Sequence, residues 1–151
     1  MTVNFDRRQV LATSIGAVAA ASLIGSIGPA AANDSADLIK AFTGGKEAAG
    51  GKVKIDMPEI AENGNTVPMT ISVDSSMTEQ SYVTDVLVVA DGNPRGGVVT
   101  FHFTPMSGVA EANTRIRLAK SQKIIAVAKM NDGSFHTASK DVKVTIGGCG
   151  G

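Results

Sequence analysis

One cysteine stands in this chain, and its setting, Gly147-Gly148-Cys149-Gly150-Gly151, offers the sulfur no flanking side chain for cover. Cysteine is among the most buried residue types because it packs as a small hydrophobe. A thiol framed by two glycine pairs near a chain end points instead to an accessible sulfur. Such a thiol forms either an intermolecular disulfide or a reactive attachment point. An unperturbed thiol has a pKa near 8.5, so only about 3% is thiolate at pH 7. Activation would therefore come from a partner. Without β-carbons the segment 147–151 is thin and free in φ/ψ, as a tail entering a narrow channel requires. From Ile146 its sulfur would reach roughly 10 Å, and roughly 20–25 Å if Lys143–Ile146 peeled away too.

Other chemistry finds little support. His102 and His136 have no close ligand spacing that would make a metal site with Cys149, and both read as surface or edge histidines. There is no Gly-x-Ser-x-Gly elbow, and Asp56, Glu59 and Glu62 sit beside Pro and Asn-Gly elements as loop charges. A second cysteine, needed for a Cys-x-x-Cys oxidoreductase, is lacking. The stretch from Gly44 to Val53 resembles a phosphate loop only loosely. Lys46 stands where its first Gly belongs and Val53 where Ser or Thr would hold magnesium. It reads as a linker. No metal or cofactor is expected.

Lys+Arg and Asp+Glu both number 14, and aromatic residues are 4% with no Trp. Neither a basic patch nor a stacking platform for nucleic acid is present in that composition. Hydrophobic residues at 43% and charged residues at 19% are ordinary for one globular domain.

Residues 1–32 read as an export signal. Arg7-Arg8 precede an uncharged apolar run, Ile15 to Ile27, and Pro29-Ala30-Ala31-Ala32 supplies small residues for cleavage. The pattern resembles a twin-arginine signal. It places the protein in the periplasm, free of the membrane once cleaved.

The elements that must position the thiol follow. Residues 33–52 hold a short helix over 34–43, capped by Asp34 or Ser35, ended by Gly44-Gly45 and packing lightly, and then a Gly-rich linker. From Val53 to Ile146 the signal is β. Val67, Met69, Ile71 and Val73 alternate with Pro68, Thr70 and Ser72; Tyr82 to Ala90 is a longer apolar run. Val99, Phe101 and Phe103 share one side of the next strand, opposite His102. Thr114, Ile116 and Leu118 oppose Arg115 and Arg117, and Lys123–Met130 and Val142–Ile146 complete the set. About seven short strands with turn signals between them fit an all-β, immunoglobulin-like antiparallel sandwich over 53–146.

The segment Val142 to Gly151 is similar to the C-terminal arm of the SoxY family, sulfur carriers of the periplasmic sulfur-oxidising (Sox) system. Pro58–Gly64, Ala90-Asp91-Gly92-Asn93-Pro94, Phe101–Pro105 and Thr114-Arg115-Ile116-Arg117-Leu118 resemble that family as well. The resemblance implies a non-catalytic subunit paired with a second sandwich, SoxZ. A c-type haem enzyme would couple thiosulfate to Cys149. A manganese-dependent hydrolase would release sulfate, and in some organisms a molybdenum–haem enzyme would oxidise the remaining sulfane sulfur. The alternative is an exported immunoglobulin-like module whose Cys149 only cross-links subunits.

Overall fold

A computed structural model describes residues 33–148; residues 1–32, read above as an export signal, and Cys149, Gly150 and Gly151 lie outside the described residues. Among the described residues eight strands form two sheets: β1 (Val53–Asp56), β2 (Ile60–Asn63), β3 (Val67–Val73), β4 (Val83–Ala90), β5 (Gly97–His102), β6 (Ala110–Ile116), β7 (Gln122–Met130) and β8 (Phe135–Ile146). The smaller sheet has the order β1-β3-β6, the larger β2-β8-β7-β4-β5. Between them lies the core expected of an immunoglobulin-like sandwich.

The period of two in β3 is realised as written. Val67, Met69, Ile71 and Val73 are buried while Pro68 is exposed and Thr70 and Ser72 are half-buried. β3 runs antiparallel to β1 (Val53↔Val73) and to β6 (Val67↔Ile116), so its inward residues meet core residues from both sides. The long apolar run of β4 has a different cause. β4 is flanked by β7 and β5, and both its faces are covered. Val86, Val88 and Ala90 join the intersheet core, whereas Leu87 and Val89 are buried outside it.

The second face is covered by helix α1 (Ser35–Thr43), which packs against β4. Leu38, Ile39 and Phe42 are half-buried there, and Phe42 meets Phe135 edge-on, centroids 5.9 Å apart. This is closer packing than the sequence implied. The expected Asp34 cap also differs: Asp34 Oδ1 accepts from the Gly96 amide (2.6 Å) and makes no cap bond, while Asn33 Oδ1 accepts from Ser35 N–H (2.9 Å). A Cβ on Gly96 would come within 2.5 Å of Ser35 N, so only glycine lets the helix start so close to the strand. The C-terminal end follows the sequence, with Gly44 left-handed at φ 63° and donating to Lys40 O.

Two elements depart from expectation. β8 is twelve residues long, since polar His136–Asp141 continue the ladder with β7 from Lys129↔Phe135 to Gln122↔Val142. The other is β2, four residues among turn-forming neighbours, which pairs with the last residues of β8 in parallel: Ile60↔Lys143, Ala61↔Val144, Asn63↔Ile146. One parallel pair therefore stands in an otherwise antiparallel sandwich, and it is the pair that carries the chain to Gly147.

The β7–β8 turn is set by Asp132, whose carboxylate accepts from the Ser134 hydroxyl (2.6 Å) and amide (2.8 Å). These two bonds hold its pKa below the ordinary carboxylate value, the hydroxyl contributing most.

Burial separates two isoleucines of the same type. Ile71 is 1% exposed and Ile60 62% exposed. Ile71→Ala should cost about 2–5 kcal/mol through lost burial and a cavity, and Ile60→Ala no more than about 0.5 kcal/mol. Urea unfolding midpoints of the two variants check this.

Candidate functional site

The end of β8 enters a slot made wholly of backbone. Gly64 N–H donates to Ile146 O (2.8 Å), Leu118 N–H donates to Gly64 O (2.8 Å), and Gly148 N–H donates to Leu118 O (2.9 Å). Three segments distant in sequence are thus laced together one residue before Cys149. Gly148 is buried although Ile146 is 67% exposed.

Side chains are excluded from this slot by distance. A Cβ on Gly64 would lie 2.2 Å from Leu118 O and 2.7 Å from Gly148 N. On Gly147 it would lie 2.2 Å from Ala119 O, and on Gly148 2.8 Å from Gly64 O. None of the three has a positive φ. Close approach, not conformational freedom, is what glycine provides at 64, 147 and 148. The sequence assigned Gly147 and Gly148 to a free tail; in the structure Gly148 is buried and hydrogen-bonded, and Gly147 is exposed but passes close to Ala119 O. The net contribution of a hydrogen bond is about 0.5–1.5 kcal/mol, so the single bond that Gly148 donates to Leu118 O is a small part of what holds the fold.

The loop that receives Gly148 is buttressed from beneath by Asn93, only 5% exposed. Its Nδ2 donates to Arg117 O (2.9 Å), and its Oδ1 accepts from Ala119 N–H (2.9 Å) and Gln122 Nε2 (2.8 Å). Gln122 also donates to Lys120 O (3.0 Å) and accepts from Gly92 N–H (2.8 Å). Asn33 Nδ2 donates to Asn93 O (2.6 Å) and Ala90 O (2.9 Å). Ser121 Oγ accepts from Val144 N–H (2.8 Å), tying the same loop to β8. Sequence reading missed Gly64, Asn93 and Gln122. Asn63-Gly64 and Asp91-Gly92-Asn93 read as turn signals and as parts of the family resemblance, with no structural role assigned to them.

The remaining sequence candidates do not converge on this slot. His102 is exposed, its Nδ1 2.5 Å from Asp85 Oδ1. His136, on β8, has a buried Nδ1 with no hydrogen-bond partner among the described residues. Asp56, Glu59 and Glu62 are exposed. Among the described residues no three His, Cys, Asp or Glu side chains gather as a metal site. Ala49 bridges to β8 through Ala49 N–H to Phe135 O (2.9 Å), so the Gly-rich stretch 44–53 serves as a tether to the sandwich.

Fold and seat together define an immunoglobulin-like sandwich that fixes a glycine-rich segment by its backbone. The family described as sulfur oxidation protein SoxY matches residues 39–149, and this chain belongs to that family. The structure of the sulfur carrier protein SoxY from Chlorobium limicola f thiosulfatophilum is similar with a TM-score of 0.62 at 29% identity, covering 74% of this chain and 96% of that one. A superoxide reductase (neelaredoxin) from Ignicoccus hospitalis is similar with a TM-score of 0.56 at 19% identity, covering 62% of this chain and 80% of that one. At that identity the likeness speaks for the fold alone. No curated protein matches the chain.

Gly148→Ala should eject the segment from its slot. Hydrogen exchange at the amide of position 148 is expected to lose its protection while the β4 and β7 amides keep theirs. Asn93→Ala should cost about 1–3 kcal/mol by orphaning buried partners, read as a lower urea midpoint with faster exchange at Ala119.

Proposed function

We propose that this chain is a covalent sulfur carrier that holds thiosulfate-derived groups on Cys149 and presents them to partner enzymes of thiosulfate oxidation. The observation that carries the reading is the SoxY family match, which runs through residue 149 itself. The Chlorobium protein described as a sulfur carrier supports it over 96% of its own length. In this reading the chain is not a catalyst.

The chemistry asked of the thiol is simple. Cys149–SH and thiosulfate join through a new S–S bond, giving a cysteine S-thiosulfonate, one proton and two electrons. The electrons leave to the c-type haem enzyme. Hydrolysis by the manganese-dependent enzyme then adds water across the S–SO3 bond, releasing sulfate and a proton and leaving a persulfide on Cys149. Where a molybdenum–haem enzyme is present, it oxidises that sulfane sulfur. With about 3% thiolate at pH 7 for an ordinary thiol, activation falls to the partner sites. Tethering keeps the small dianion from diffusing away and raises its effective concentration at each station.

A SoxZ-like second sandwich completes the carrier as a heterodimer, and Arg7 and Arg8 direct export to the periplasm by the twin-arginine route. Gly147 and Gly148 act as the latch, Gly150 and Gly151 as the thin tip that follows the sulfur into a channel.

Intact mass spectrometry after incubation with thiosulfate and the haem enzyme tests the proposal. Wild type should gain the mass of S2O3 on Cys149, and Cys149→Ser should gain none. A disulfide-linked dimer without any adduct would contradict it.

A further inference from the structure

We infer that the chain carries an oxyanion site in the cleft between β5 and β6, and that it takes the –SO3 group of a sulfur oxyanion. The inference rests on the carrier reading for its choice of ligand, but not for the site itself. β5 pairs only with β4 and β6 only with β3, so the two sheets leave open edges that face one cleft. A cavity of about 330 Å³ occupies it, lined among others by Arg95, Arg115, Arg117, Asn93, Gly97 and Thr114. That is room for one small, partly hydrated anion.

Three arginines, Arg95, Arg115 and Arg117, are among the residues that line this cavity, and no Asp or Glu is. Among the described residues the one ion pair is His102–Asp85, and none of the three arginines pairs with a described carboxylate. Asp34 lies outside the lining, its Oδ1 accepting from the Gly96 amide between Arg95 and Gly97. A lining that carries positive charge and no carboxylate favours an anion. Arginine suits the role, since its fixed fork of donors matches the oxygens of a tetrahedral oxyanion two at a time. Each edge strand also leaves alternate backbone N–H groups outside any ladder.

The position in the chain selects the ligand. Arg117 immediately precedes Leu118, whose carbonyl holds Gly148, and Asn93 both lines the cavity and accepts from Ala119 of the same loop. Cleft and latch are therefore two sides of one loop. An anion drawn in at Arg117 bears on the segment that carries Cys149. The anion has two sources: free thiosulfate, or the thiosulfonate on the loaded thiol.

Amide NMR on the purified full chain distinguishes them. In one arm sodium thiosulfate replaces sodium chloride at constant ionic strength. Saturable shifts at Gly97, Thr114, Arg115 and Arg117 would support the site and assign it to the free anion. In the other arm tetrathionate loads Cys149, the thiolate displacing thiosulfate to leave the S-thiosulfonate. Mass spectrometry first verifies loading; the same amides shifting only then would support the tethered source. Arg115→Gln and Arg95→Gln should each weaken the response about tenfold, the loss of one charge-assisted pair. The inference is overturned if the cleft amides stay still in both arms, if chloride or acetate moves them equally, or if the Gln variants respond like wild type. It is also overturned if they move only when a second sandwich subunit is added, which marks the cleft as a protein interface. Failure to load, with free thiosulfate still shifting the cleft, contradicts the carrier reading and leaves the site standing.

Discussion

Backbone meets backbone between Gly64 and Gly148 at a distance that no β-carbon tolerates, and the rest of the architecture is arranged around that approach. The parallel pairing of β2 with β8 delivers Gly64 to the end of the last strand. The loop after β6 supplies the Leu118 carbonyl and amide that bridge the two glycines. Asn93 and Gln122, buried polar residues with partners on every side, hold that loop in place. A polar network of this kind is costly when half satisfied and rigid when complete, which fits a part whose task is to fix a chain end.

Stability and presentation are thereby separated. The body is held by apolar burial between two sheets and by the helix on the outer face, with Val83, Val86, Val88, Val89, Ala90 and Ile124 fully excluded from water. The seat is held by single hydrogen bonds, each a small term. In the proposed carrier, the latch sets where the thiol is offered and the partner decides when it leaves.

Much of the sandwich was legible because its strands obey simple rules. β3 alternates, β4 is apolar from Val86 to Ala90, and the helix ends at a glycine that turns left-handed. What stayed hidden depends on contacts remote in sequence. Ile60 is exposed, and Pro58 and Asn63-Gly64 argue for a loop, so only the neighbouring β8 makes a strand of β2. His136 to Asp141 lack apolar alternation, yet β7 templates them. Gly64 and Asn93 looked like turn formers; their roles lie in what approaches them from other strands. Cys149 stood out for the opposite reason, since a lone cysteine between two glycine pairs is visible in the sequence itself.

The account turns on a single sulfur being loaded while the folded body only offers it. The most direct measurement is thiosulfate consumption by cells whose chromosomal copy carries Cys149→Ser, with the variant protein shown to be exported and folded. Loss of thiosulfate oxidation is the expected result. Consumption at the wild-type rate would contradict the account.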